Sequence, residues 1–335
     1  RQDRRAAGHL MSVQQVSASA KASVSASAPG KVNLFLGVGA KRVDGFHEVC
    51  SVYLALDLRD TVTVSPAAEW SVAVEGSLPV EHLARVPLDE TNIVVAAAKL
   101  VARLAGVAEP QPLSFAIEKH IPVAGGMGGG SADAAAAMVA ANEIYGAGLT
   151  REQLIKAAVE LGADVPFALL GGCALGVGVG GDLTPIVVSR SHEFVLLAND
   201  KPISTPGAYR RFDEMAVEQG LDPAQLPLSR PSEAAMAELN STEDAPLDEL
   251  IWNDLESPAI GQLPELDADL DLPSGFEVEW PTAYASFVSG SGPTIAFACV
   301  DRRGADRLRE QLAEIGRYAV VAAGPADGAR LEGLN

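Results

Sequence analysis

The spacing of hydrophobic and polar positions predicts a chain that mixes strands and helices. The apolar run Val32–Val38 lies between Pro29-Gly30 and Gly39, a pattern typical of a buried strand. Short apolar or alternating runs predict further strands at Ser23–Ala28, Val49–Leu58, Asp60–Val64, Trp70–Val74, Leu113–Lys119, Cys173–Val179, Thr184–Val188, Phe194–Ala198, Ala283–Val288 and Thr294–Val300. Apolar positions at helical spacing predict helices at Asn92–Leu104, Ala132–Ile144, Arg151–Leu161 and Arg303–Ile315, with a shorter helical piece near Asp248–Leu255.

Length and composition narrow the class of protein. The chain has 335 residues, of which 48% are hydrophobic and 21% charged, so it can bury a core in one large or two moderate domains. We expect an N-terminal domain at residues 22–181 and a C-terminal domain at residues 182–335. We expect residues 1–21 to form a flexible leader outside the fold. Within it, Arg1–Leu10 resembles an added segment that precedes a start methionine at Met11.

The net charge, the lengths of the apolar runs and the spacing of cysteines and histidines disfavour several classes of partner and of metal site. The net charge is −19, which disfavours nucleic acid because a phosphate backbone requires a basic surface. No apolar run reaches the ~18 residues that a membrane span needs. Cys50, Cys173 and Cys299 lie far apart without a C-x-x-C spacing, and the five histidines show no metal-ligand spacing. We therefore expect a cytoplasmic protein with reduced thiols, no structural zinc, and neither a membrane nor a nucleic acid as partner.

A glycine-rich segment at Pro122–Asp133 is the most informative stretch of the sequence. Glycine lets the backbone approach a ligand closely, so that successive N–H groups and the N-terminus of the following helix can converge on an anion. Ser131 could cap the helix and also offer its hydroxyl to a phosphate or to Mg²⁺; a simple loop with Ser131 as N-cap is the alternative. The predicted phosphate-binding residues are Pro122, Val123, Ala124, Gly125, Gly126, Met127, Gly128, Gly129, Gly130, Ser131 and Ala132.

Three familiar nucleotide motifs do not fit. A P-loop needs Lys directly before Ser or Thr, and Gly130 occupies that place. The H-R-D and D-F-G elements of protein kinases do not occur. The spacing Gly176-x-Gly178-x-x-Gly181 matches a dinucleotide fingerprint, but Asp182-Leu183-Thr184-Pro185 follows where a helix should begin.

Three motifs in order resemble those of the GHMP kinases, a family named after galactose, homoserine, mevalonate and phosphomevalonate kinases. They are Pro29-Gly30-Lys31-Val32-Asn33-Leu34, the glycine-rich segment, and Ser289-Gly290-Ser291-Gly292-Pro293-Thr294. The resemblance covers nearly the whole chain from about residue 23. It implies an α+β fold of two domains with the active site in the cleft between them, ATP as phosphoryl donor, Mg²⁺ bound with help from Ser131, and a monomer or weak homodimer.

Finer features resemble the GHMP kinases that phosphorylate the 2-hydroxyl of 4-diphosphocytidyl-2-C-methyl-D-erythritol, in the non-mevalonate pathway to isoprenoids. These features are Arg42-Val43-Asp44-Gly45-Phe46-His47, Gly162-Ala163-Asp164-Val165-Pro166-Phe167 and Asn253-Asp254-Leu255-Glu256. Phe46 departs from the tyrosine that many relatives carry, which keeps ring stacking but removes a phenol hydrogen bond.

The resemblance also implies roles for single residues. Asp164 would be the catalytic base and Lys31 its cationic partner. Phe46 and His47 would recognise the cytosine, Asn33, Asp164 and Thr205 would contact the substrate, and Asn92 and Lys119 would lie near the adenosine. The residues alone leave simpler alternatives: an N-cap at Asp164 for a helix through Pro166–Leu170, a solvent-exposed Lys31, aromatic packing at Phe46 and an ordinary turn at Thr205.

Two rival functions stay open. Mevalonate, phosphomevalonate or homoserine kinases share the three motifs, although their substrates carry no base for the Asp44-Gly45-Phe46-His47 element to recognise. A catalytically inactive small-molecule sensor on the same scaffold would not need to keep Lys31, Ser131 and Asp164 together.

Overall fold

The architecture is known from a computed structural model that describes residues 23–241, 246–276 and 282–333. The expected leader at residues 1–21 lies outside the described residues. The strands are β1 (Val24–Lys41), β2 (His47–Pro66), β3 (Ser71–Gly76), β4 (Leu113–Lys119), β5 (Cys173–Gly178), β6 (Asp182–Ile186), β7 (His192–Leu197), β8 (Trp252–Asn253), β9 (Ala283–Val288), β10 (Ile295–Cys299), β11 (Ala319–Gly324) and β12 (Arg330–Leu331). The helices are α1 (Val80–Leu83), α2 (Ile93–Leu104), α3 (Gly129–Ile144), α4 (Arg151–Ala158), α5 (Val165–Leu170), α6 (Thr205–Glu218), α7 (Glu233–Glu238), α8 (Glu256–Gln262), α9 (Glu265–Leu270) and α10 (Arg302–Glu314).

The larger sheet among the described residues is built on the long strand pair β1–β2. Its order is β12-β1-β2-β4-β3, while β5 also pairs with β2, β6 with β5, and β8 with β1. The predicted strands Ser23–Ala28 and Val32–Val38 form one strand, because the register shifts between Pro29 and Lys31 and so accommodates the proline. This bulge matters for function, since it lies at the start of the Lys31 motif.

The alanine-rich helix α3 packs against the β1–β2 pair and fills the main core. Its small side chains Ala134–Ala137 are fully buried, and Met138 lies beside them. Helix α2 packs on α3 and buries Val94, Val95 and Val101. The result is a layer of helices that presents the first turn of α3 at the end of the sheet.

The smaller sheet has the order β11-β7-β10-β9 and is covered by helices α9 and α10. Strand β7 shows the expected alternation, because Phe194 and Leu196 join the main core while Val195 and Leu197 face a second core. Leu308 and Leu312 of α10 pack into that second core. The sheet therefore has two buried faces and joins the rest of the molecule through one of them.

Several elements differ from expectation. The predicted helical piece at Asp248–Leu255 is wrong: the backbone there turns and then forms β8, which pairs with Phe35 and Leu36 of β1. Helix α6 and strand β11 were not predicted. The domain division after residue 181 stays a prediction; it falls in the turn between β5 and β6, which hydrogen-bond to each other in the larger sheet.

Within residues 23–241, 246–276 and 282–333, no helix combines the length and the apolar character required to cross a bilayer.

Candidate active site

A cleft of about 990 Å³ brings the three sequence motifs together. It is lined by the Lys31 end of β1, the β1–β2 turn, the glycine-rich loop, the approach to α5, the start of α6, and the turn between β9 and β10. Most of the predicted site residues lie here. The lining residues among them are Lys31, Asn33, Phe46, His47, Ala124, Gly125, Gly126, Gly128, Gly129, Gly130, Ser131, Asp164 and Thr205.

The glycine-rich loop has the backbone conformation that its composition predicts. Ala124, Gly126 and Gly128 all have positive φ angles, of 56°, 74° and 70°. Gly128 is the N-cap of α3, so the helix begins at Gly129 and its free N–H groups face the cleft. A side chain at Gly128 would lie 3.4 Å from Cγ of Lys31, so the loop and the lysine are in close contact.

Ser131 lies within the first turn of α3, and the expectation that it caps the helix is wrong because the helix starts before it. Its side chain still lines the cleft. Pro122, Val123, Met127 and Ala132 do not line the cleft; the carbonyl of Met127 accepts a hydrogen bond of 3.0 Å from the backbone N–H of Lys31, which fastens the loop to β1.

Lys31 and Asp164 form the charged centre of the cleft. Their Nζ and Oδ2 atoms are 3.8 Å apart, and the lysine side chain is only 7% exposed while that of Asp164 is 32% exposed. The Lys31 ammonium also donates to Asn33 Oδ1 and to the carbonyl of Gly126, at 2.6 Å each. Burial lowers the pKa of Lys31, and the charge of Asp164 opposes that shift. Lys31 is thus buried rather than solvent-exposed.

The position of Asp164 leaves its carboxylate available. The residue occupies the N-cap position of α5, but its side chain makes no capping hydrogen bond. Tyr53 lies on the same side of the cleft, and burial together with the nearby Asp164 raises the tyrosine pKa well above its usual value. A carboxylate that faces the cleft beside a buried ammonium is chemically suited to accept a proton from an alcohol.

A second group of side chains lies around His47. Its Nε2 atom donates to Asp213 Oδ1 at 2.8 Å, and Lys41 Nζ donates to Asp213 Oδ2 at 2.6 Å. The ring of Tyr209 stacks on His47 with centroids 5.1 Å apart. Phe46 is 64% exposed at the rim of the cleft, so it does not pack into the core. These rings and their polar partners form a pocket suited to a flat aromatic group.

Tyr209 and Asp213 are site residues that the sequence reasoning missed. Both lie on α6, four and eight residues after Thr205, so one face of this helix lines the cleft. Thr205 Oγ1 is 2.7 Å from Ser291 Oγ, which joins α6 to the β9–β10 turn. The four-residue spacing of Thr205, Tyr209 and Asp213 indicates one face of a helix, but it is informative only once a helix is predicted there.

Two residues expected near the adenosine lie behind the cleft wall. The Lys119 ammonium is buried between Asp60 and Asp133, with 2.8 Å to Asp133 Oδ2. Asn92 is the N-cap of α2: its side chain accepts from the N–H of Val94 and donates to the carbonyl of Pro87. Neither side chain lines the cleft. Lys119 instead packs against the glycine-rich loop, because a side chain at Gly129 would lie 3.3 Å from the lysine ammonium.

The comparisons with known proteins agree with these motifs. Residues 92–172 match the model of the family described as GHMP kinases N terminal domain. The "4-diphosphocytidyl-2-C-methyl-D-erythritol kinase" of Nocardia farcinica is 44% identical over 309 residues, which cover 91% of this chain and 94% of that protein. The chain belongs to the 4-diphosphocytidyl-2-C-methyl-D-erythritol kinase family. It is therefore a small-molecule kinase with the GHMP fold.

Further members support this family membership. The kinase of the same name from Nocardioides sp. is 43% identical over 307 residues, covering 91% of this chain and 98% of that protein. A solved structure titled 4-(cytidine 5'-diphospho)-2C-methyl-D-erythritol kinase superposes with a TM-score of 0.67 at 30% identity, over 90% of this chain and 99% of the other. The mevalonate kinase of L. major has a TM-score of 0.66 at 17% identity, over 90% of this chain and 96% of the other, which shows a shared fold alone.

Proposed function

We propose that this kinase uses ATP to phosphorylate the 2-hydroxyl of 4-diphosphocytidyl-2-C-methyl-D-erythritol, in the non-mevalonate route to isoprenoid precursors. The observation that carries the proposal is the single cleft that holds the Lys31–Asp164 pair, the glycine-rich loop and the ring pocket around His47. The Lys31–Asp164 pair suits an acceptor alcohol, the glycine-rich loop suits a triphosphate, and the ring pocket suits a nucleobase.

Asp164 accepts the proton of the acceptor hydroxyl as the oxygen attacks the γ-phosphorus of ATP and the bond to the β-phosphate oxygen breaks. The Lys31 ammonium, whose Nζ atom is 3.8 Å from Asp164 Oδ2, stabilises negative charge on the attacking oxygen. Asn33 orients the Lys31 ammonium through their 2.6 Å hydrogen bond. Without the Asn33 side chain, the Lys31 ammonium would keep the Gly126 carbonyl and Asp164 as its polar contacts.

The triphosphate is held by main-chain N–H groups of the glycine-rich loop and by the N-terminus of α3. Space for it exists beside Gly130, where an added side chain would meet no atom within 4 Å. The hydroxyl of Ser131, on the cleft wall, is a hard oxygen donor that would suit Mg²⁺. When bound, that ion neutralises charge on the phosphate oxygens.

The cytidyl group enters the pocket around His47. Phe46 and Tyr209 provide ring faces for stacking, and Asp213 holds His47 with its Nε2 proton directed at the carboxylate. Homoserine and mevalonate carry no ring for this pocket, which favours the cytidyl substrate over those of the other GHMP kinases.

An ADP-release assay with purified protein tests the proposal directly. With ATP and Mg²⁺ present, turnover is expected with 4-diphosphocytidyl-2-C-methyl-D-erythritol and not with homoserine, mevalonate or phosphomevalonate. Turnover with one of the latter and none with the cytidyl compound would overturn the substrate assignment. Binding of both ligands without any product would favour a sensor. We also propose a cytoplasmic location, and a monomer or weak homodimer in solution.

A further inference from the structure

The element Asn253-Asp254-Leu255-Glu256 has a role that the cleft description does not include. Asn253 is the last residue of the short strand β8, which pairs in parallel with Phe35 and Leu36 of β1, and Asp254 follows it. The N–H of Asp254 donates to the carbonyl of Leu36 at 2.9 Å, and its Oδ2 atom accepts from the N–H of Val38 at 2.8 Å. The element is therefore attached to the strand that carries Lys31 and Asn33.

The same element also holds the turn between β9 and β10. The side-chain amide of Asn253 donates to two carbonyls of that region, those of Val288 and Gly290, at 2.8 Å each. Its Oδ1 atom accepts from the N–H of Leu255 at 2.8 Å, so the orientation of the amide is fixed. Glu256 adds a third attachment by accepting from the N–H of Val288 at 2.9 Å.

The Ser289–Gly292 turn lies directly against the catalytic lysine. A side chain at Gly290, where φ is +58°, would lie 3.1 Å from Lys31 Nζ and 3.2 Å from Asn33 Oδ1. The hydroxyl of Ser289 donates to the carbonyl of Gly126 at 3.3 Å, and that carbonyl also accepts from Lys31. The turn thus covers the lysine ammonium and shares an acceptor with it.

We propose that Asn253 is a positioning residue that holds the Ser289–Gly292 turn against Lys31. Through its two donated hydrogen bonds it keeps the turn closed over the ammonium, which in turn keeps Lys31 within reach of Asp164. Asn253 itself does not line the cleft. The kinetic part of this inference rests on the proposed function.

The variant Asn253→Asp keeps the shape of the side chain and replaces the donor with a carboxylate that faces two carbonyl oxygens. Asn142→Asp is the matched control, because the Asn142 amide also bridges backbone groups, donating to the carbonyl of Leu149 and accepting from its N–H at 3.0 Å each, away from the cleft. We expect kcat of Asn253→Asp to fall about 100-fold, the effect of roughly 1 Å misplacement, with KM for ATP within about threefold of wild type. The control should keep kcat within about twofold.

Two further readouts distinguish positioning from a loss of stability. Lowering the pH from 8.5 to 6 should raise the activity of Asn253→Asp relative to wild type, because a protonated carboxyl can again donate to one carbonyl. Competitive acetylation followed by mass spectrometry should show Lys31 at least tenfold more reactive in Asn253→Asp than in Asn142→Asp. The acetylation result does not require turnover, so it tests the turn even if the wild-type protein phosphorylates none of the alcohols.

The inference is overturned if Asn253→Asp unfolds at a lower temperature but keeps its kcat and a protected Lys31. An equal loss of kcat in both variants would overturn it as well. If Asn253→Asp does not fold, Asn253→Ala, which removes both donated hydrogen bonds without adding charge, is measured for kcat and for Lys31 acetylation and judged by those two outcomes.

Discussion

Replacing Asp164 with asparagine tests the centre of the proposed mechanism. Asn keeps the size of the side chain, so the approach to α5 and the cleft wall should persist. The carboxylate makes no capping hydrogen bond that the variant could lose. The change therefore removes the proton acceptor and the negative charge beside Lys31, and little else.

The structure sets the size of the expected effect. Two unit charges 3.8 Å apart attract by roughly 4 kcal/mol at an effective dielectric constant of about 20, and the water that reaches Asp164 reduces this value. Loss of that attraction lowers the pKa of Lys31 further, because burial already lowers it. Loss of a general base typically costs about 10²–10⁴ in rate. We expect kcat to fall by that factor and KM for ATP to stay within about threefold.

The measurement is steady-state ADP release at saturating cytidyl substrate, with ATP affinity determined separately by calorimetry. Asp301→Asn serves as the control, because Asp301 also occupies a helix N-cap but accepts its hydrogen bond from Gly304, at the start of α10. That variant should lose some stability and keep kcat. If Asp164→Asn retained more than half of the wild-type kcat, Asp164 could not be the base.

Three further variants test separate parts of the site. Gly128→Val should weaken ATP binding at least tenfold, since the residue has a φ of +70° and its side chain would contact Lys31; calorimetry that showed unchanged affinity would contradict the loop assignment. Asp213→Asn should raise KM for the cytidyl substrate about tenfold by weakening the hold on His47, while KM for ATP stays constant; an equal rise in both KM values would exclude a base-specific role. Burial raises the pKa of Asp133 to about 8, with Lys119 opposing and Asp60 reinforcing the shift, so the folded state holds a proton that the unfolded state loses near pH 4. The contribution of this carboxyl to stability should therefore fall as pH rises from about 4 to 8, so wild type should lose stability relative to Asp133→Asn across this range in thermal unfolding scans; a constant difference between the two proteins would be inconsistent with that pKa.

The sequence predicted the local parts of this fold better than its long-range connections. Strand β4 was predicted with its observed bounds, and the predicted helix Asn92–Leu104 differs from α2 only by including the N-cap Asn92, because these features depend on neighbouring residues. β8 could not be predicted, since two residues form a strand there only because β1 offers a free edge. Helix α6 begins at Thr205-Pro206, a pair that also suits a turn, and its apolar positions alone did not decide between the two.

The site residues show the same contrast between what the local sequence predicts and what depends on distant parts of the chain. Lys31 and Asp164 are 133 positions apart, and spacing alone cannot bring them together; their motifs placed them in one cleft and the structure gives 3.8 Å. Lys119 shows the opposite case, because the family resemblance implied a position near the adenosine. Its burial between Asp60 and Asp133 depends on β2 and α3, which no local pattern around residue 119 reveals.

The pairing of β12 with β1 has a consequence for how the protein is made. Ala26 and Ser27 form their outer backbone pairs with Leu331 and Arg330, which lie about 300 residues later in the sequence. During synthesis this edge of the sheet stays unpaired until residues 330 and 331 have left the ribosome. A fragment that stops before residue 330 would expose the outer N–H and C=O groups of Ala26 and Ser27. Exposed strand edges of this kind promote aggregation.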